Sequence, residues 1–328
     1  MTLMSLQLIS CTPRRILNSL KHGTQSKMHA FFFLPRIHLL IVYCQVYLTD
    51  IMGRTQPREL TSGKQGAIHS PVFSKQGDKV AWLELDQDGY ESDRAKIVIY
   101  DLHKDVRYTL TQHWDRSPGQ LVVRSENPGS WPRLMTLFVL QFSLEGTFIY
   151  FTAGDQARIK IFYLPIPSTP SQSTTNPQFD KLYTEPFQLT STGSASSVYP
   201  LHPGRLLFSR SSLTSPNDVF LIQHLPRFLS EYTHPESSKG GTKKRQGDLQ
   251  QVSWFTQAKL AEKGLSPGEE FYFVGANEKR IQGWALKPRG WEEGQEKKYP
   301  VVLLIHGGPQ GAWEDGWSTR WNPNGNVP

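Results

Sequence analysis

Two ten-residue stretches of this chain repeat each other: "FSKQGDKVAW" from Phe73 and "FSLEGTFIYF" from Phe142. The Phe-Ser pair, the glycine (Gly77, Gly146) and the apolar positions (Val80 with Ile149, Trp82 with Phe151) share one offset, 69 residues from Phe73 to Phe142. A shorter third copy, "LHPGRLLFS", begins at Leu201 with one residue fewer before its glycine. Each copy reads as a turn glycine feeding a strand, then a second strand that ends in a polar loop. Such a unit cannot bury both its faces alone and must stack on neighbours.

The surrounding sequence agrees with a β fold. Lys79–Asp86, Ala95–Leu102, Arg107–Thr111, Thr147–Gly154, Ala157–Ile166, Arg205–Ser211 and Asp218–Leu225 are rich in Val, Ile, Tyr and Phe and read as strands. No convincing helix precedes Ser253. Many short strands at regular spacing indicate a sandwich, barrel or propeller, and the repeat selects a propeller. One blade needs only ~40–50 residues, so the offset is too long. The excess falls in "VRSENPGSWPRLMTLFVLQ", Val123–Gln141, which fits no blade pattern. Removing these 19 residues leaves an offset of 50, so the segment is expected to be an insert, of the kind a translated intron would leave. Two polar stretches, Pro165–Pro177 and Thr233–Asp248, read as loops.

The formal net charge of +7 invites a nucleic-acid partner until it is located. Residues 1–49 hold Arg14, Arg15, Lys21, Lys27 and Arg36 and no acid, so without these five the net charge is +2. The basic character belongs to a leader, and no nucleic-acid partner is expected. Lys243-Lys244-Arg245 reads as a solvated loop. The two cysteines, Cys11 and Cys44, also lie in the leader, so the rest of the chain has neither disulfides nor thiolate metal sites. The longest apolar piece, Ile37–Leu48, has 12 residues, too few to span a bilayer. No small-x-small cleavage site follows it. Residues 1–54 are therefore read as an atypical leader outside the fold, with no membrane partner, and the compartment is left open.

After Gly264 the texture changes. Glu269–Ala276 and Arg280–Pro288 form a plausible hairpin turning at Asn277-Glu278-Lys279. Then Val301–Ile305 gives five apolar residues in a row, the pattern of a strand covered on both faces in a parallel sheet. His306-Gly307-Gly308-Pro309 stands at its carboxyl end, where sites form in open α/β sheets. In hydrolases an HGG loop here offers backbone N–H to an oxyanion, worth ~3–4 kcal/mol per donor in the transition state. His306 comes too early in the chain to be the base of this fold and is read as orienting the loop. Trp313, Trp317 and Trp321 read as loop aromatics near the site. Trp317 and Arg320 are candidate substrate-pocket residues, Arg320 for a carboxylate or an ion pair.

These stretches, with "LTSGKQGAIHSPVFSKQGDKVAWLELDQDGYESDRAKIVIYDL" and "KYPVVLLIHGGPQGAWEDGWSTRWNPN", resemble fungal dipeptidyl-peptidases on the acylaminoacyl-peptidase-like branch of the prolyl oligopeptidase family. The resemblance covers roughly Leu60–Val122 and Phe142–Asn324. It implies a fold that is mainly β followed by α/β: a partial β-propeller over residues 55–263, then the N-terminal strands of an α/β-hydrolase domain over 264–328. It implies a serine-type aminopeptidase that releases dipeptides from short peptide substrates through a Ser-Asp-His triad, without metal or cofactor. Gly307 and Gly308 match the family's oxyanion-loop positions. The nucleophile belongs in a G-x-S-x-G elbow after a later strand, and the chain is read as holding no such elbow at any of its glycines. "GSASS", Gly193–Ser197, lacks the central serine and the last glycine. All three triad residues are thus expected beyond the chain end, leaving this chain truncated and inactive as written. A non-catalytic propeller fragment that binds, and an esterase of the same fold, are the other readings.

Overall fold

The computed structural model describes residues 4–7, 45–50, 56–61, 65–87, 93–119, 140–233, 245–307 and 311–318. They divide into two compact units: residues 1–73, 77–112 and 169–178, and residues 74–76, 113–168 and 179–328.

The first unit holds a four-stranded antiparallel meander, β4 (Ile68–Phe73), β5 (Lys79–Glu84), β6 (Lys96–Asp101) and β7 (Val106–Thr109). β6 is buried at every position, on both faces. A three-stranded sheet, β1 (Met4–Gln7), β2 (Tyr47–Asp50) and β3 (Arg58–Glu59), accompanies it. Val46, Leu48 and Leu60 pack with Val80, Trp82, Val98 and Tyr100 into one core. This corrects the reading that residues 1–54 lie wholly outside the fold. Val46–Asp50 supplies both a ladder partner and apolar side chains that would otherwise face water. The Ser/Thr-rich residues 169–178 run beside β7. Thr174 N–H donates to Arg107 O at 2.9 Å, and Arg107 N–H donates to Ser173 Oγ at 2.9 Å. The loop thereby satisfies edge groups that an unprotected strand would present to other chains.

The second unit contains two further four-stranded antiparallel meanders. One is β8 (Leu140–Phe142), β9 (Phe148–Gly154), β10 (Ile159–Pro165) and β11 (Phe187–Gln188). The other is β12 (Ser194–Leu201), β13 (Arg205–Ser212), β14 (Ser215–Gln223) and β15 (Asp248–Gln251). They share one core: Phe148, Tyr150, Ile161 and Tyr163 from one sheet meet Val198, Leu206, Phe208, Phe220 and Ile222 from the other. Tyr232, on the short helix α1 (Leu229–Thr233), closes it. On the opposite face of β9 and β10, Trp114 packs edge-on to Phe151 and Phe162, at 5.5 and 5.2 Å between centroids.

The repeat is a structural one. Phe73, Phe142 and Leu201 each end the first strand of a meander. Gly77, Gly146 and Gly204 each stand in the first hairpin turn with positive φ, 73°, 72° and 54°. An L side chain is disfavoured there, which explains the shared glycine. Several edge strands escaped the sequence reading, β4 and β12 among them. β4 carries Pro71 and β12 is Ser-rich. Both are fixed by ladder bonds to β5 and β13 rather than by apolar content.

The expected insert, Val123–Gln141, lies outside the described residues except for Leu140 and Gln141, and the described chain before it runs to Gly119. Leu140 pairs with Phe151, Gln141 with Tyr150 and Phe142 with Ile149. Gly119 N–H donates to Thr152 O at 2.6 Å, and Pro118 bridges Ala153. Gly119 therefore occupies the rung next to Leu140 on the same edge of β9. Pro118–Gly119 and Leu140–Phe142 thus follow one register along this edge. The boundary accordingly shifts: Leu140 and Gln141 belong to the sheet, with Leu140 fully buried.

A final hairpin joins β16 (Glu269–Val274) to β17 (Arg280–Ala285). Asn277 and Glu278 both take φ 56° at its turn, as expected of a tight hairpin. The apolar run that follows departs from expectation. Val301–Ile305 forms no strand, and its side chains are 49–92% exposed. A strand covered on both faces needs ladder partners on its edges, and no described residue supplies a ladder here. Among the described residues every pair of strands is antiparallel, with one isolated parallel bridge between Tyr108 and Thr174, so the described fold is mainly β and the α/β part is not seen.

Candidate functional site

The candidate site is the glycine loop with the segment that follows it. Leu304 and Trp313 bracket the loop: Trp313 Nε1–H donates to Leu304 O at 3.1 Å. His306 lies at the start, with Nδ1 2.9 Å from Gly307 O, positioned for its N–H to donate. Among the described residues, its chain neighbours aside, no atom lies within 4 Å of where a Gly307 side chain would begin, and Gly307 is exposed. A Cβ on Gly311, by contrast, would sit 2.2 Å from Gly307 O. Gly311 is thus required by close approach across the loop, although the HGG reading did not include it. Gly308 and Arg320 lie outside the described residues.

Beyond the loop the chain is fastened to the ends of the neighbouring sheets. Asp315 N–H donates to Ala157 O at 2.9 Å. Its carboxylate accepts from two backbone amides, Gly193 N–H on Oδ2 and Leu213 N–H on Oδ1, both at 3.0 Å. Trp317 N–H donates to Ser211 Oγ at 3.2 Å. Trp317 is therefore half-buried against the third meander. Trp284 Nε1–H, on β17, donates to Trp313 O at 2.9 Å. Arg158 stacks on the Trp284 ring at 4.9 Å and pairs with Glu270 at 2.9 Å. The Tyr272 hydroxyl bonded to Glu270, together with Arg158, holds that carboxyl below its ordinary pKa. Asp315 and Trp284 were legible only as an acid between tryptophans and a strand aromatic. Their partners are 29–158 residues away in sequence, from Trp284–Trp313 to Asp315–Ala157.

No serine nucleophile is assembled beside this loop among the described residues. Contrary to the expectation that the chain holds none, the sequence contains one G-x-S-x-G, "GLSPG" at Gly264–Gly268. A nucleophile elbow joins a strand to a following helix. Here the order is reversed: the pattern follows a 3-10 helix (Ala261–Lys263) and precedes β16. Ser266 Oγ accepts from Gly268 N–H at 3.4 Å and Lys287 N–H at 3.2 Å, so it fastens a turn. Gly264 and Gly268, at φ 62° and 76°, serve that turn. An open cleft of about 400 Å³ lies nearby, lined by Asp218, Gln251 and Trp254. Asp218 is saturated by Ser253 Oγ and Phe255 N–H, both at 2.9 Å, and is structural there. Among the described residues, no cluster of three or more His, Cys, Asp or Glu could hold a metal ion.

No family model matches the chain. Curated relatives named dipeptidyl-peptidase 5 do. The protein of Schizosaccharomyces pombe is 30% identical over 281 residues, covering 84% of this chain and 32% of that protein. That of Aspergillus fumigatus is 31% identical over 264 residues, covering 80% and 29%. That of Trichophyton tonsurans is 32% identical over 306 residues, covering 88% and 34%. The fold matches the acylaminoacyl peptidase of Pyrococcus horikoshii with TM-score 0.54 at 14% identity, over 85% of this chain and 33% of that one. An acylaminoacyl peptidase in complex with Z-Gly-Gly-Phe-chloromethyl ketone matches with TM-score 0.54 at 16% identity, over the same shares. The chain spans about a third of the length of the relatives it matches. Over that third it is similar in sequence to the proteins named dipeptidyl-peptidase 5 and similar in fold to acylaminoacyl peptidases.

Proposed function

We propose that this chain is the propeller-and-oxyanion-loop part of a serine-type peptidase that releases dipeptides from the N-termini of short peptides. The observation that carries the proposal is the order of parts: three consecutive four-stranded meanders with a glycine in the same turn, followed by the His306-Gly307 loop. Consecutive four-stranded meanders of this kind support reading them as propeller blades. A propeller beside a hydrolase domain restricts entry to short or unstructured chains. Residues 264–328 would then begin the hydrolase domain, with Val301–Ile305 as a strand once its neighbours are present. In that setting the backbone of Gly307, with Gly308, would donate N–H to the tetrahedral oxyanion. His306 would orient the loop, and Trp317 and Arg320 would line the pocket.

The nucleophile, acid and base would be supplied from sequence other than these 328 residues, because Ser266 is committed to a turn. The transcript read onward from the Pro328 codon tests this, together with turnover by the encoded protein. The reading expects an in-frame G-x-S-x-G, then Asp and His, and release of dipeptides from peptide amides. Turnover of esters without peptides would favour an esterase instead. No triad and no turnover would leave a non-catalytic binding module.

A further inference from the structure

We infer that Asp315 is a positioning residue that sets the geometry of the glycine loop from the ends of the second and third meanders. The inference rests on the reading of Gly307 as oxyanion-loop backbone and adds what holds that loop in place.

A loop rich in glycine has little conformational preference of its own. An oxyanion donor works only when it is held in place before charge develops, so something outside the loop must hold it. Asp315 meets three different turns. Its N–H donates to Ala157 O, in the β9–β10 turn, where Gln156 and Ala157 both adopt positive φ. Its two carboxylate oxygens accept from Gly193, before β12, and Leu213, in the β13–β14 turn. Both oxygens go to amides that precede or connect strands, so neither bond is part of a ladder. Charge-assisted bonds to backbone N–H are about twice as strong as neutral ones. From this anchor the linkage runs two residues back. Trp313 receives the Trp284 indole on its carbonyl and donates its own indole to Leu304 O. Leu304 stands two residues before His306. Both stems of the loop are thereby tied to one carboxylate, eight residues from Gly307. Arg210, stacked on Phe220 at 3.9 Å, lies near enough to add an attractive charge to Asp315.

The test is the indole N–H signals of Trp313 and Trp284 in nitrogen–proton spectra of the whole chain. The Asp315→Ala variant should move the Trp313 indole signal towards the position of a solvent-exposed indole and speed its exchange with water by roughly tenfold or more. Asp315→Asn keeps one acceptor oxygen and should restore part of the effect. Trp313→Phe, which leaves Asp315 intact, should leave the Gly193 and Leu213 amide signals unchanged and keeps the test usable if the alanine variant does not fold. An unmoved Trp313 indole in Asp315→Ala, with displaced Gly193 and Leu213 amides, would overturn the inference and make Asp315 a local staple. Coupling found in a protein that never hydrolyses peptides would sink the oxyanion reading and leave the anchor standing.

Discussion

Single residues in this chain are held mainly by where their charges and glycines fall in the sheets. Asp155, at the β9–β10 turn, accepts from Lys160 Nζ at 2.6 Å and from Arg116 at 2.9 Å. Burial alone would raise its pKa, but the bond and charge of Lys160, helped by Arg116, outweigh burial and lower it. Between the folded and unfolded pKa values the unfolded state binds more protons, so stability rises with pH there. The contribution is complete above the unfolded value near ~4 and is lost as pH falls through the lower folded value. Urea midpoints measured from pH 6 to 2 should fall steeply for the native chain in this window and more gently for Asp155→Asn. Identical slopes would show that Asp155 titrates alike in both states. The repeated glycines make a second residue-scale prediction. A Cβ at Gly77 meets nothing within 4 Å, so Gly77→Ala should cost only the positive-φ penalty, about 1–2 kcal/mol. At Gly204 the same Cβ would lie 2.5 Å from Leu225 O, a backbone atom, and Gly204→Ala should cost clearly more. Denaturant melts of the two variants compare them directly, and equal costs would contradict the argument.

At the scale of elements, the split edge strand beside β9 gives the sharpest expectation. Gly119 and Leu140 occupy adjacent rungs, so deleting residues 120–139 should rejoin the ladder in register. The shortened chain should unfold cooperatively at equal or higher stability, within about 1 kcal/mol, because loop length enters closure entropy only logarithmically. Circular dichroism melts decide it, and loss of the cooperative transition would show that the segment is integral to the sheet. The same scale shows what was legible in the sequence. β5, β6, β9 and β10 announced themselves, because buried central strands are continuous runs of Val, Ile, Phe and Tyr. β15, Asp248–Gln251, is polar and exposed and exists only through its rungs to β14. Val301–Ile305 failed in the opposite way. Its composition is that of a strand, but pairing is a property of neighbours, and the described residues offer it no ladder. The loop glycines were read from their motif. Asp315 and Gly311 were not, because their importance lies in contacts made across the fold.

At the scale of the molecule, the described surface keeps apolar side chains that a finished core would cover. Val301, Leu303 and Ile305 are 78–92% exposed, and Phe273 and Val274 on β16 are 49% and 74% exposed. Exposed apolar segments of high β-propensity promote association. A Val301→Lys, Leu303→Lys double variant should show less light scattering on concentration, with stability unchanged within about 0.5 kcal/mol. A fall in melting temperature of several degrees would mean that these side chains are packed. On the proposed function, this chain is one part of a serine peptidase, with repeated meanders and a glycine loop supporting a nucleophile carried elsewhere. The most direct test is to label the native protein with a serine-directed fluorophosphonate and identify the modified residue by peptide mass spectrometry. The account predicts one labelled serine in a G-x-S-x-G peptide outside residues 1–328, in a protein that releases N-terminal dipeptides. Absence of labelling, or labelling at Ser266, would contradict it.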